Sequence, residues 1–250
     1  MALSWRHAVQ LGIVLGAFAL WEAVVAFDLV DSRTLPPPSE VAAHFAIMIA
    51  NPDTLYHLWI TSAQVFLAFV LVAPIGVALG LLLGESDYLG RAFKPFFYFV
   101  ASVPKSVFLP VFILSFGIGF TQKVAFGMFF SIFVVVRDLL SSPARGASDL
   151  VKMARSCGAK RWELYRQVYL PSMFPVIVEG LRLGMIFNIT GVLFAEMYVS
   201  RAGLGHLVAQ WGMRFEMANL FAGILLAALL SIFVNESLRW YERKIGSWRG

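Results

Sequence analysis

Residues 154–171 read ARSCGAKRWELYRQVYLP. Arg155, Lys160, Arg161 and Arg166, with Lys152 just ahead of them, gather five of the chain's twenty lysines and arginines here. Long apolar runs lie on both sides. Leu150, Met153, Ala154 and Cys157 recur at i, i+3, i+4 and i+7, one face of a helix, and Lys152 and Arg155 fall off that face. Ser148 and Asp149 offer caps at its start. Gly158 is placed to end it in a left-handed conformation. Trp162, Tyr165 and Tyr169 mark one side of a second amphipathic piece, which Pro171 closes. The spacing therefore predicts a short helix, a glycine turn and a second helix. Such an element suits a membrane surface or a groove on a partner protein. A helix-turn-helix reader of DNA fits poorly, because both ends enter apolar runs within a few residues and a duplex has no room to dock.

Composition sets the frame around this stretch. Of 250 residues, 59% are hydrophobic and 14% charged, where soluble domains are charged at about a quarter of positions. Apolar runs of spanning length occur at 8–27, 58–83, 96–118, 124–140, 172–198 and 218–238. A bilayer crossing takes about 20 apolar residues, so the expectation is an all-α membrane protein with about six spans in a single domain, 1–250. The opening stretch falls in the loop 141–171, between the fourth and fifth spans. Pro104 and Pro110 interrupt the third run, which predicts a broken helix there. The first run has a passable signal-peptide cleavage site at Val24-Val25-Ala26. Its length, Trp21 and Glu22 favour a retained span.

The charges orient the chain. With the N-terminus inside, internal segments carry fourteen basic residues and external segments four: Arg33, Lys123, Arg201 and Arg214. That bias places both termini and the 141–171 loop in the cytoplasm. It also accounts for the net charge of +5 without nucleic acid. The single cysteine excludes an internal disulfide, and the four histidines show no metal-ligand spacing. No G-x-x-x-x-G-K-[ST] loop is present, so ATP is not expected to bind this chain in that way. A membrane-embedded enzyme would need convergent catalytic groups, which neither the histidines nor the cysteine supply. A membrane-tethered regulator using the basic loop is the other alternative.

Polar groups inside spans are candidates for a transport path, because their burial in lipid is costly. Lys105 lies between the two prolines of the third run. It either serves an anion at a helix break or snorkels to the cytoplasmic headgroups. Glu179 and Arg182, one turn apart, are expected to form an intrahelical ion pair. Asn188 and Thr190 lie deeper and are expected to bond across helices. Gln64, with Thr61 and Ser62, makes part of the second span polar. Glu22 is placed near the outer interface beside Trp21. Outside, Ser39 and Glu40 are expected to cap a helix after Pro36-Pro37-Pro38.

Several stretches in a fixed order resemble ABC importer permeases of the nitrate/sulfonate/taurine/bicarbonate type. They are LPPPSEV at 35–41, GVALGLLLG at 76–84, VPKSVFLPVFILSFGIG at 103–119, the opening stretch, EGLRLG at 179–184 and AEMYVSRAGLG at 195–205. The family signature E-A-A-x3-G-x9-I-x-L-P meets Gly158, Val168, Leu170 and Pro171. Its first three positions are Lys152, Met153 and Ala154, so only the last alanine is kept.

The resemblance implies a type I importer-permease fold in the bacterial inner membrane. It implies a second permease copy, an extracytoplasmic substrate-binding protein that meets the loop after Gly203-Leu204-Gly205, and cytoplasmic ATPase subunits that hold the ATP and magnesium. It makes the 141–171 loop a coupling helix that docks on the ATPase. Leu150, Lys152, Met153, Ala154, Arg155, Cys157, Gly158, Ala159, Arg161 and Trp162 would carry the contact. The solute is expected to be small and anionic, with Lys105, Gln64, Arg182, Asn188 and Thr190 along its path.

Overall fold

The computed structural model describes residues 5–85, 87–141, 152–154 and 156–246. Regular structure among them is helical throughout: α1 (Trp5–Ala26), α2 (Pro38–Ala50), α3 (Pro52–Glu85), α4 (Asp87–Ser102), a 3-10 turn (Lys105–Phe108), α5 (Leu109–Phe116) and α6 (Phe120–Ser141). A helical turn (Arg161–Leu164) and a π-helical turn (Tyr165–Tyr169) then lead into α7 (Leu170–Tyr198), followed by α8 (Leu204–Met213) and α9 (Met217–Gly246). The chain divides into two compact units, residues 1–61 with 196–230 and residues 62–195 with 231–250.

Five helices are long and apolar enough to cross a bilayer, and a sixth crossing arises if α4 and the segment Lys105–Phe116 count as one span. That pair is bent by 85°, so the third span is not the straight run 96–118. Pro104 stands at the break in extended backbone, φ −60° and ψ 102°, where it cannot supply the N–H that would continue α4. α6 begins at Phe120, earlier than the apolar run, because Gly117 turns the chain with φ +70°. Lys123, counted as external from sequence, is therefore inside the helix and only 2% exposed.

Pro171 does not end a helix. Helical backbone is continuous from Trp162 to Tyr198, and the π-helical turn lets Leu170 N–H donate to Tyr165 C=O one residue further back than usual. A helix absorbs a proline through such a local widening. α2 is the helix expected after Pro36-Pro37-Pro38, but its first turn is bound differently from the expectation. Its N-cap is Pro37, which gives no side-chain cap. The exposed first turn is bound instead by Glu22, whose carboxylate accepts from Ser39 N–H (3.1 Å) and Ser39 Oγ (2.7 Å). Ser39 is thus the capped residue, not the cap.

In the larger unit α6 packs between α3 and α7. Val135 and Leu139 join Leu81 of α3 and Met173 of α7 in one apolar cluster. Small residues allow the close approach, as in other membrane helix pairs. At Gly127 a Cβ would overlap Asn188 Oδ1 and come within 2.7 Å of Val192. Gly127→Ala is expected to cost about 1–3 kcal/mol through overpacking, read as a lower melting midpoint of the purified protein.

Candidate functional site

The glycine turn takes the predicted form. Cys157 N–H donates to Met153 C=O and Ala159 N–H to Ala154 C=O, both at 3.1 Å, and Gly158 has φ +86°. This is a left-handed helix stop in which the residue past the turn bonds back five positions. The second piece starts at once. Glu163 reaches back so that its Oε2 accepts from Lys160 N–H at 2.8 Å, the reciprocal half of a capping box. Trp162, Tyr165 and Tyr169 stack in sequence, with centroids 6.3 and 5.7 Å apart.

Tyr169 packs on the α6 cluster, whereas Trp162 and Met153 are 69% and 68% exposed. Lys152, Cys157 and Gly158 are exposed, and Ala154 and Ala159 half-buried. Leu150 and Arg155 lie outside the described residues, as do the expected caps Ser148 and Asp149; of Arg161 only the backbone is described. A compact turn thus presents apolar, aromatic and cationic side chains to whatever lies beyond the chain.

Of the candidate path residues, Asn188 and Gln64 are both buried. Asn188 is fully buried, and its Nδ2 donates to the carbonyl of Val65 on α3 at 2.9 Å, next to Gln64. Its Oδ1 and the Oε1 of Gln64 have no hydrogen-bond partner. Asn188 therefore bonds across helices as expected. Thr190 does not: it is exposed and donates to Ile186 C=O of its own helix (2.9 Å). Arg182 is half-buried, and the expected ion pair with Glu179 is not formed. Lys105 is buried in the 3-10 turn at the bend. Its Nζ donates to Ala101 C=O (3.2 Å) and lies 6.0 Å from the centre of the Phe130 ring. No carboxylate pairs with it among the described residues.

Sequence reasoning missed a buried polar clasp in the smaller unit. Glu196, in the last turn of α7, is fully buried. Three successive N–H groups at the start of α8 are each taken by a side chain. Gly203 N–H donates to His57 Nδ1 (2.9 Å), Leu204 N–H to Thr61 Oγ1 (2.7 Å) and Gly205 N–H to Glu196 Oε2 (2.8 Å). Thr61 in turn donates to the Glu196 carboxylate, with oxygens at 2.8 and 2.9 Å. A helix start needs such acceptors, and a carboxylate there also suits the helix dipole. The residues involved are up to 146 positions apart. The available signal was an acidic residue inside the fifth apolar run, the same criterion that singled out Glu179.

Among the described residues, no group of three or more His, Cys, Asp or Glu could hold a metal ion. The geometry is that of helices breached by a few buried polar groups, with one exposed turn.

Comparison with known proteins identifies this arrangement. The family described as "Binding-protein-dependent transport system inner membrane component" matches residues 73–247. The taurine transport system permease protein TauC of Escherichia coli (strain K12) is 27% identical over 255 residues, covering 99% of this chain and 92% of that protein. SsuC of Bacillus subtilis (strain 168), named as an aliphatic sulfonates transport permease protein, is 28% identical over 250 residues, covering 98% and 89%. A solved structure of the inward-facing MetNI methionine ABC transporter superposes with a TM-score of 0.63 at 20% identity, covering 78% of this chain and 99% of that one. That likeness carries the type I importer-permease fold. With a family match over most of its length, multiple membrane-spanning helices and relatives that are transport permeases, the chain belongs to the inner-membrane permease components of binding-protein-dependent ABC importers.

Proposed function

We propose that the Gly158 turn is the contact through which a cytoplasmic ATPase drives this permease, and that the cargo is a small anion. The observation that carries the first part is the exposed turn itself. Met153 and Trp162 offer apolar surface for a groove, and Lys152 and Lys160 supply cations for carboxylates at its rim. ATP and magnesium belong to the ATPase subunits. Two copies of the chain line the path, a substrate-binding protein delivers the solute from outside, and both termini lie in the cytoplasm. Lys152, where the signature has glutamate, changes the sign of one contact and calls for an acidic partner on the ATPase.

The anion reading rests on Lys105. A buried ammonium with one hydrogen bond and no carboxylate is short of counter-charge, and a helix break is where transporters place groups that meet a charged solute. The names of the relatives, taurine and aliphatic sulfonates, agree in chemistry. The test is uptake of labelled taurine and alkanesulfonates by proteoliposomes holding permease, ATPase and binding protein. Uptake that depends on ATP and on the binding protein supports the reading. Lys105→Met is expected to lower uptake about tenfold or more, as removal of one charged contact costs more than about 1.4 kcal/mol. Lys105→Arg should retain a larger share. Equal uptake by all three would remove Lys105 from the path.

A further inference from the structure

The clasp at the start of α8 contains one group whose proton decides whether it closes. Gly203 N–H donates to His57 Nδ1 at 2.9 Å, so that nitrogen is bare and the neutral ring carries its hydrogen on Nε2. Nε2 faces Asp53, whose Oδ2 lies 3.8 Å away. A second proton has one place to go, Nδ1, where it would meet the Gly203 N–H head-on. Both ring nitrogens of a charged histidine are donors, so the imidazolium and the closed clasp exclude each other.

The surroundings make this a choice between two states. The three N–H groups of the clasp are taken by His57, Thr61 and Glu196, one each, so loss of His57 leaves the Gly203 donor unmet beside a buried carboxylate. Asp53 stands one turn nearer the start of α3, with its side chain 75% exposed. It offers a route to water and a carboxylate toward which a charged ring can turn. The other titratable groups facing the ring are Tyr56 of α3, with centroids 5.6 Å apart, and His206 of α8, at 6.1 Å. Glu196 of α7 is reached through Thr61, which bonds it at 2.8 Å. Arg201, in the loop that leads to Gly203, is exposed. His206 is the second imidazole within reach, but the clasp N–H groups donate elsewhere.

We infer that His57 is a proton-operated latch on the α7–α8 joint: neutral, it closes the clasp; protonated, it turns toward Asp53 and frees the Gly203 N–H. Resting on the orientation proposed above, which puts both ends of the clasp on the outer side, the proton is an external one. Acid outside then loosens the joint, while Thr61 and Glu196 keep hold of Leu204 and Gly205.

The test is hydrogen exchange of the 199–206 amides in the transporter held in nanodiscs, corrected for the intrinsic pH dependence of exchange. It compares about pH 7.5 with about pH 5.5, within the span where histidine charge changes. In the native chain the Gly203 amide is expected to exchange about threefold to tenfold faster at the lower pH, the effect of losing one hydrogen bond. His57→Asn puts Oδ1 in the place of Nδ1, an acceptor that acid does not remove, and its exchange should be equal at both pH values. His206→Asn should keep the native response. Should His57→Asn fail to fold, the ring-nitrogen resonances of isotope-labelled histidine in the native chain decide. A bare Nδ1 at the higher pH that gains a proton at the lower one supports the latch. Equal exchange in the native chain at both pH values, a response that survives in His57→Asn, or a proton on Nδ1 at the higher pH would overturn it. Each of these outcomes leaves the importer reading standing, because that reading is tested by uptake that depends on ATP and binding protein.

Discussion

Replacing Gly203 with alanine is expected to destabilise the fold strongly. Gly203 has φ +111° and ψ 160°, a region open essentially to glycine, where another residue costs of order 1–3 kcal/mol. The space is closed as well: a Cβ at 203 would overlap the carboxylate of Glu196. That carboxylate cannot retreat without giving up Gly205 N–H and Thr61, both bound to it at 2.8 Å. Strain and overlap together are expected to cost about 3 kcal/mol or more. For a chain of this size that lowers the melting midpoint by roughly 6–12 °C. Thermal unfolding in detergent and the yield of monodisperse protein provide the measurement. Glu196→Ala removes the acceptor instead, leaving a buried donor unmet at about 1–3 kcal/mol. A Gly203→Ala chain that melts with the native one would mean that the clasp does not hold the α7–α8 joint.

Gly158→Pro is the second large effect, and it acts on transport more than on folding. The native φ of +86° is out of reach for proline, which holds φ near −65°, so the left-handed stop cannot form. Nothing lies within 4 Å of where a Cβ at 158 would sit, so no core contact is lost. The cost of reshaping the turn, of order 1–3 kcal/mol, falls on the contact with the ATPase. That corresponds to a loss of transport of about tenfold or more, with ATP hydrolysis no longer tied to uptake. Gly158→Ala, which meets strain without a clash, should fall between the two. Uptake per ATP hydrolysed in proteoliposomes is the readout. Full uptake by the proline variant would remove this turn from the coupling path.

The parts of this molecule that the sequence made legible are those fixed by neighbours along the chain. Apolar length located the spans, since lipid requires an unbroken run whatever packs beside it. Pro104 announced the bend, and Gly158 announced its own left-handed turn. Two local readings failed, one through a backbone adjustment beside the proline and one through a partner on another helix. Pro171 was read as a stop, but the π-helical turn before it carries the helix through. Ser39 was read as a cap, but Glu22 binds it from another helix. The clasp was least legible. Thr61 and His57 look like ordinary polar residues on the second span, and only folding brings them to Glu196 and the N–H groups of Gly203 and Leu204. Lys123 was assigned to an external segment by its place between two apolar runs; the helix start set by Gly117 makes it part of α6, with its side chain buried. Of the coupling residues, spacing gave the turn, but it gave no hint of which side chains face outward.

The central claim is that the Gly158 turn lies in the cytoplasm under an ATPase, and the chain carries its own probe for it. Cys157, its single cysteine, is exposed beside that glycine. A membrane-impermeant maleimide should label it in inside-out vesicles stripped of ATPase, and rebinding the ATPase should block the reaction. Labelling from the outer side of sealed right-side-out vesicles, or labelling indifferent to the ATPase, would contradict the account.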